Sequence, residues 1–127
     1  MTAFVVFAHG SRVAAANDAV RQLAAGMEQS SGWTTEAAFL ELGQPDLPSA
    51  TAELISRGAT EVFVIPYFLS PGVHLTRDLP RIIEELRSIH KGVTIAATQG
   101  LDGHPALLQI LLDRASEART AAAEESV

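Results

Sequence analysis

With 127 residues the chain is long enough to bury the core of a single domain, and its lack of cysteine excludes a disulfide framework and a thiolate metal site. Nine Lys and Arg against 15 Asp and Glu give a net charge of −6, which disfavours a general nucleic-acid binder. No apolar run approaches the roughly 20 residues of a membrane span, and the N-terminus lacks the pattern of a secretory signal. We therefore expect a cytoplasmic protein whose partners include neither nucleic acid nor membrane.

Four apolar runs predict β-strands. They lie at residues 3–8, 35–40, 61–68 and 93–97. The first and third runs are nearly continuous rather than alternating, which is typical of parallel strands covered on both faces. The second and fourth runs are weaker, which favours positions at the edges of the sheet.

Amphipathic stretches between these runs predict four helices, at residues 13–29, 46–57, 76–90 and 105–119. In the second helix Asp46 suits the N-cap, Pro48 suits the first turn and Gly58 ends the helix. The tail from about residue 119 is expected to fray. The predicted apolar stripes are Val13, Ala16, Val20, Leu23, Ala24 and Met27; Leu47, Ala50, Leu54 and Ile55; Leu79, Ile82, Ile83, Leu86 and Ile89; and Leu107, Leu108, Leu111, Leu112 and Ala115.

The order βαβαβαβα over residues 1–127 predicts one small flavodoxin-like α/β domain. Its four-stranded parallel sheet is expected in the order 2-1-3-4, with helices on both faces. In open sheets of this kind, ligands bind beyond the carboxyl ends of the strands, near the switch in strand order. The residues directly after each strand are therefore the first candidates for a functional site.

Three titratable side chains follow three adjacent strands of this predicted sheet: His9, Glu41 and His74. Because neighbouring strands lie about 4.8 Å apart, these side chains can converge on one point. Two imidazoles and a carboxylate form an open ligand set for a divalent metal, with coordination positions left for another molecule. Alone, each residue has a simpler interpretation as a turn, helix-start or solvated loop residue, so the prediction depends on all three.

The segments around these side chains contain small and basic residues. Gly10 lets the backbone turn after His9, and Ser11 and Arg12 follow it. Gly10, Ser11 and Arg12, together with the turn before His74 formed by Ser70, Pro71, Gly72 and Val73, are expected to bind the substrate. In that turn Gly72 removes side-chain bulk where a flat ligand can approach. An ordinary turn is the alternative interpretation. His90 and His104 are expected to serve the ends of neighbouring helices, while Arg77 and Arg81 are either positive groups near the site or solvated surface.

Other catalytic motifs are missing from the sequence. It contains no G-x-S-x-G, no G-x-x-x-x-G-K-[ST] and no G-x-G-x-x-G segment, which disfavours a serine hydrolase, a P-loop enzyme and a dinucleotide-binding enzyme. A phosphohistidine enzyme also places a histidine after its first strand. Such an enzyme needs an arginine directly before that histidine, and Ala8 occupies the position here.

Four segments together resemble the small sirohydrochlorin chelatases (CbiX-type) of the cobalamin and siroheme pathways. They are V-V-F-A-H-G-S-R, A-F-L-E-L-G-Q-P-D-L, V-F-V-I-P-Y-F-L-S-P-G-V-H-L-T-R-D-L-P and G-H-P-A-L-L-Q-I-L-L-D-R. The resemblance runs from about residue 3 to residue 115. Its most specific part is the combination of H-G-S-R with G-V-H and D-L-P at this separation.

The resemblance implies ATP-independent insertion of a divalent metal, Co²⁺ or Fe²⁺ and in some relatives Ni²⁺, into sirohydrochlorin, without an organic cofactor. It also implies that His9 and His74 hold the metal and that Glu41 assists metal delivery or proton removal. The ring carboxylates would be received by Ser11, Arg12 and the positive N-terminus of the first helix, which locally offset the negative net charge. Longer relatives contain two such domains in tandem, so the resemblance implies a homodimer with the site completed near the interface.

A non-catalytic binder or carrier of metal or tetrapyrrole on the same fold is the alternative function. Histidine and carboxylate ligands bind several divalent metals in the Irving–Williams order, so the sequence leaves the metal open. It also leaves open whether the product enters the cobalamin or the siroheme pathway.

Overall fold

The computed structural model describes residues 1–70 and 72–125, without the side chain of His74. Within these residues the predicted alternation of strands and helices is confirmed. The elements are β1 (Thr2–Ala8), α1 (Ala14–Ser31), β2 (Thr34–Phe39), α2 (Leu47–Ser56), β3 (Glu61–Pro66), α3 (Val73–Ile89), β4 (Thr94–Ala97) and α4 (Ala106–Glu125). Helix α3 begins earlier than predicted, and α4 continues beyond residue 119. None of the described helices is long and apolar enough to cross a membrane.

The strands form a parallel sheet in the order β2-β1-β3-β4, which confirms the predicted α/β fold and strand order. Phe4 of β1 lies beside Thr35 of β2 and Phe63 of β3, and Phe63 lies beside Ala96 of β4. Because all strands run in the same direction, their carboxyl ends share one edge of the sheet. The segments that follow β1, β2 and β3 begin side by side at that edge.

Helices α2 and α3 cover one face of the sheet and enclose the larger hydrophobic core. Leu54 of α2 and Ile83 of α3 are buried there against Val5, Phe7 and Val64 of the central strands. The predicted start of α2 is confirmed, because the Asp46 carboxylate accepts a hydrogen bond from the Ser49 N–H at 2.8 Å. Pro48 lies in the first turn of that helix.

Helix α1 covers the opposite face, but only over β1 and β2. Its buried residues are Asn17, Val20 and Ala24. The predicted stripe is therefore wrong at Val13, Ala16 and Leu23, which are exposed. Val13 precedes the helix, and the other two lie at the margin of the face that contacts the sheet.

Beyond α1, this face of the sheet lacks a covering helix in the described part of the chain. Phe4, Phe63, Ile65 and Ala96 are only partly buried there, and we call these four residues the open sheet face. In β3 partly buried and buried residues alternate, so the prediction that this strand is covered on both faces is wrong. The physical reason is that α1 reaches only β1 and β2, and α4 contains no buried residue and so does not cover β3 either.

Candidate active site

The carboxyl edge of the sheet continues beyond the strands as paired loops. The Leu40 N–H donates to the Ala8 carbonyl at 2.9 Å, and the Glu41 N–H donates to the His9 carbonyl at 3.1 Å. On the other side of β1, the Tyr67 N–H donates to a β1 carbonyl at 2.8 Å. These bonds extend the parallel register past the strand ends. The segments after β1 and β2 are therefore held side by side.

The structure places the side chains of His9 and Glu41 next to each other. Nδ1 of His9 lies 3.9 Å from Oε1 of Glu41, and the side chains are 59% and 58% exposed. This distance is too long for a hydrogen bond. Each group would stand about 2.0–2.2 Å from a shared divalent metal, so two ligands of one ion can lie up to about 4 Å apart. The pair therefore has a spacing compatible with joint metal binding.

His74 belongs to the first turn of α3, so its backbone follows β3 at the same edge of the sheet. Its side chain lies outside the described residues, as does the whole of Pro71. Among the side chains that the structure describes, no group of three or more His, Asp or Glu could hold a metal ion. The three-ligand set thus stays a prediction.

Position 10 requires glycine for two reasons: the conformation of its own backbone and the close approach of the Glu41 backbone. Its φ is +97°, in the region that favours glycine, and a Cβ atom at this position would overlap the carbonyl oxygen of Glu41. The absence of a side chain allows the loops after β1 and β2 to approach closely. Gly10 therefore controls the spacing of His9 and Glu41.

Asn17 of α1 ties these two loops together. Its side chain is 7% exposed. Its Oδ1 accepts from the Ser11 N–H, and its Nδ2 donates to the carbonyls of Ser11 and Leu42, all at 2.9 Å. Asn17 is absent from the sequence-based site prediction. Asn17 lies three residues before Val20 and seven before Ala24, so helical spacing places it on the same buried face of α1. This spacing is the sequence signal that could have identified it.

One helical turn further on, Arg21 provides a second anchor for the loop after β2. Its Nη2 donates to the Gln44 carbonyl at 2.8 Å, and its guanidinium lies 5.0 Å from the centre of the Phe39 ring. Leu42, whose carbonyl accepts the hydrogen bond from Asn17, adopts a left-handed conformation with φ of +57°. Such a conformation is unfavourable for leucine, so the two hydrogen bonds from α1 help to hold it.

The other predicted ligand-binding residues differ in their surroundings. Ser11 has its backbone groups engaged by Asn17, and its Oγ accepts from the Val13 N–H at 3.0 Å. Arg12 is exposed beside it. Gly72 begins α3 with φ of −69° and has open space where a Cβ would lie, so this position does not require glycine. Ser70 and Val73 are exposed.

Three of the four remaining predicted residues serve local structure. Nδ1 of His104 accepts from the Ala106 N–H at 3.0 Å, which confirms its role at the start of α4. At His90 the backbone N–H donates to the Leu86 carbonyl at the end of α3. Arg81 pairs with Asp78 on its own helix, with Nη2 and Oδ1 3.4 Å apart. Arg77 is exposed.

Large apolar side chains are exposed around the same edge of the sheet, and all but Val73 are absent from the sequence-based site prediction. We call them the apolar rim; they are Val13, Leu42, Tyr67, Leu69 and Val73, between 38% and 72% exposed. All follow the carboxyl ends of β1, β2 or β3. A concentration of exposed apolar side chains marks a binding surface. The edge therefore combines a polar pair with apolar surface that suits a flat ligand.

Comparisons with known proteins agree with this architecture. The sequence model of the CbiX family matches residues 3–118. A sirohydrochlorin cobaltochelatase from Methanocaldococcus jannaschii is 32% identical over 92 residues, which are 72% of this chain and 64% of the relative. The chloroplastic sirohydrochlorin ferrochelatase of Arabidopsis thaliana is 29% identical over 111 residues, 87% of this chain and 49% of the relative.

Among solved structures, that of a CbiX protein from Marinobacter aquaeolei has a TM-score of 0.84 at 29% identity, over 95% of this chain and 99% of the other. By contrast, the chain spans less than two thirds of the length of the two chelatases, 64% and 49%.

Proposed function

Because the chain belongs to the CbiX family, whose sequence model covers residues 3–118, we propose that it inserts Co²⁺ or Fe²⁺ into sirohydrochlorin without ATP. The observation that carries this proposal is the pairing of His9 with Glu41 at the carboxyl edge of the sheet, with Nδ1 and Oε1 3.9 Å apart. The apolar rim lies at the same edge. This arrangement offers metal ligands beside a surface for a macrocycle.

The first task of the site is to hold the metal loosely. His9 and Glu41 are exposed, so an incoming hydrated ion can exchange water for an imidazole nitrogen and a carboxylate oxygen. His74 is proposed as a third ligand. Because the metal must pass on to the ring, a closed and tight site would oppose the reaction. An open set with few protein ligands meets this requirement.

The second task is to accept protons from the ring. As the metal binds the ring nitrogens, two pyrrole N–H protons must leave, which keeps the charge balanced. Imidazole and carboxylate are general bases, and both become free to accept protons when the metal leaves them. The same two side chains can therefore deliver the metal and receive the protons.

The third task is to bind the macrocycle. The apolar rim provides contact for the flat ring, and its burial would favour binding. The ring carboxylates meet a protein with a net charge of −6, so they need local positive charge. Arg12 and the N-terminus of α1 provide it directly after His9, and the Ser11 hydroxyl can donate a hydrogen bond.

We further propose that the chain acts as a homodimer in the cytoplasm. The Arabidopsis relative has room for a second unit of this size, because this chain covers 49% of its length. A second copy would face the carboxyl edge of the sheet, where the candidate site lies, and would enclose a bound ring from the other side.

An absorption assay tests the proposed activity. Purified protein mixed with excess sirohydrochlorin and Co²⁺ or Fe²⁺ should shift the absorption bands faster than the protein-free reaction, over many turnovers. His9→Ala and Glu41→Ala should slow the reaction, while Glu53→Ala on the exposed side of α2 should not. A wild-type rate equal to the background would refute the proposal. A single stoichiometric shift without turnover would indicate a carrier instead.

A further inference from the structure

A recess lies between α3 and the carboxyl end of β4, on the face of the sheet that α2 and α3 cover. Its volume is about 410 Å³, within the range of about 300–1,000 Å³ that is typical of small-molecule sites. Neither His9 nor Glu41 lines it, so the recess is separate from this pair, and we call it the α3–β4 pocket. Its apolar walls are formed by Pro66, Phe68, Leu75, Leu79, Ile83 and Ala97.

The apolar walls of the α3–β4 pocket are held in place by the core of the domain. Leu75, Leu79 and Ile83 of α3 are 5%, 8% and 5% exposed and belong to the larger hydrophobic core. The walls therefore exist before any ligand arrives. An apolar group that enters between α3 and β4 is removed from water, which favours a ligand with an apolar body.

Arg87 closes the pocket near the start of β4. Its Nε donates to the Ile95 carbonyl at 2.7 Å, and its Nη1 donates to Oε2 of Glu84 at 3.2 Å. The guanidinium thus already has a carbonyl and a carboxylate as partners. An anionic ligand would have to displace the Glu84 carboxylate, so this end of the pocket does not favour an anion.

Toward the carboxyl edge of the sheet, three oxygen atoms surround the position that a Cβ atom of Gly100 would occupy. Oδ1 of Asp102 lies 2.9 Å from that point, and the carbonyl oxygens of Pro66 and Phe68 lie 3.7 and 3.9 Å from it. We call these three atoms the oxygen cluster. Within the described residues the Asp102 carboxylate has no hydrogen-bond or ion-pair partner. Gly100 and Asp102 both line the pocket, so the oxygen cluster adjoins its apolar walls.

We propose that the α3–β4 pocket binds a small organic amine, with its apolar body between α3 and β4 and its ammonium group at the oxygen cluster. An ammonium group has three hydrogen-bond donors and no acceptor, which matches a set of oxygen acceptors that includes a free carboxylate. The net charge of −6 also favours a cation over an anion. A ring that carries many carboxylates does not suit this pocket, so the proposal is independent of metal insertion into sirohydrochlorin.

Methyl NMR titration at pH 7 tests the pocket with three probes that share a phenyl group. They are 2-phenylethylamine, a cation; 2-phenylethanol, which is neutral; and 3-phenylpropanoate, an anion. The amine should shift the methyl resonances of Leu75, Leu79 and Ile83 and bind at least about tenfold more tightly than the other two. Methylammonium, which lacks an apolar body, should also bind at least about tenfold more weakly.

Three outcomes of this titration would overturn the proposal. The first is that none of these methyl resonances shifts. The second is that the alcohol binds as tightly as the amine, which would mean that the oxygen cluster does not recognise the charge. The third is that methylammonium binds as tightly as phenylethylamine, which would mean that the apolar walls do not contribute.

Two substitutions test the charge of the oxygen cluster and the space beside it. Asp102→Asn should abolish the preference for the amine over the alcohol. Gly100→Ala places a Cβ atom at the centre of the cluster and should weaken amine binding at least about tenfold. The backbone tolerates this change, because Gly100 does not have a positive φ. Glu53→Gln removes one negative charge from the exposed side of α2 and should bind the amine like wild type. Circular dichroism checks folding, and amine binding by folded Asp102→Asn that equals wild type would contradict the proposal.

Discussion

The side-chain amide of Asn17 donates a hydrogen bond of 2.9 Å to the carbonyl of Leu42, 25 positions away in the chain. The same amide makes two bonds to the backbone of Ser11. One buried residue of α1 thereby holds both the loop after His9 and the loop after Glu41. The positions of the loops that carry His9 and Glu41 therefore depend on Asn17, which is not itself a candidate metal ligand.

Replacing Asn17 should weaken both stability and activity. Asn17→Ala leaves backbone groups of Ser11 and Leu42 without their partner, which should lower the free energy of unfolding by about 1–3 kcal/mol. Urea unfolding measures this loss. The control substitution Gln22→Ala, at an exposed position of the same helix, should change stability by less than about 0.5 kcal/mol. Asn17→Asp retains the acceptor for the Ser11 N–H, so it should recover part of the metal-insertion rate that the alanine variant loses. Equal stability of Asn17→Ala and wild type would contradict the anchoring role.

Gly10 and Gly72 form a matched pair for testing the loops. Gly10→Ala should cost about 2–4 kcal/mol, because its left-handed backbone and the Glu41 carbonyl both oppose a Cβ atom. Gly72→Ala should cost less than about 1 kcal/mol, because its φ of −69° suits any residue and its surroundings are open. Thermal and urea unfolding measure both variants. Similar losses at the two positions would show that Gly10 has no special role.

Metal binding should reveal whether His9 and Glu41 contact the same ion. Glu41→Gln should weaken Co²⁺ binding by at least about tenfold in a calorimetric titration, as should His9→Ala. The control Glu53→Gln, on α2, should bind like wild type. If both side chains hold one ion, the losses in the double variant should be less than additive in free energy. Fully additive losses would mean that the two side chains act at separate places.

The cap of α2 should make stability depend on pH. Hydrogen bonds from Ser49 lower the pKa of Asp46 below its ordinary value of 3.8. A carboxylate with a lowered folded-state pKa stabilises the fold at pH values above its unfolded pKa, and this contribution is lost as the pH falls through the folded-state pKa. Asp46→Ala should cost about 1 kcal/mol near pH 7.

The difference between wild type and Asp46→Ala should therefore shrink toward about pH 3 in urea unfolding experiments. Asp46→Asn keeps an acceptor for the Ser49 N–H but cannot titrate, so it should lack this pH-dependent part. A difference that stays constant over this range would contradict the contribution of the charge.

A single buried hydroxyl should be replaceable with a gain in stability. Thr51 of α2 is fully buried, and its Oγ1 has no hydrogen-bond partner among the described residues. Thr51→Val keeps the shape and removes the unsatisfied oxygen, so the free energy of unfolding should rise by about 1 kcal/mol. Urea unfolding measures the change. A loss of stability would indicate that the hydroxyl has a partner in solution, and Thr51→Ser should then resemble wild type more than Thr51→Val does.

Several features of the fold are evident in short stretches of sequence. Asp46, Pro48 and Gly58 mark the limits of α2 because caps and breakers act within one helical turn. The weak second and fourth apolar runs indicate the edge strands, which leads to the order 2-1-3-4. With that order, the positions of His9 and Glu41 directly after their strands predict that they meet.

Other features depend on contacts between distant parts of the chain. Asn17 is a polar residue outside the predicted apolar stripe of α1, yet it is buried, because the loops carrying Ser11 and Leu42 meet there. The apolar stripe of α4 is visible in the sequence, but the pattern does not identify the surface that it contacts.

The sequence by itself determined the elements, their order and the edge at which His9 and Glu41 emerge, because periodicity, capping and chain direction are local properties. Only the tertiary structure decided that Gly10 and Asn17 bring together the two loops that carry these residues, whose side chains lie 3.9 Å apart, and that α4 leaves one sheet face open. These outcomes depend on how separate loops and helices pack in space. Such packing depends on pairs of residues far apart in the chain, which no local pattern encodes.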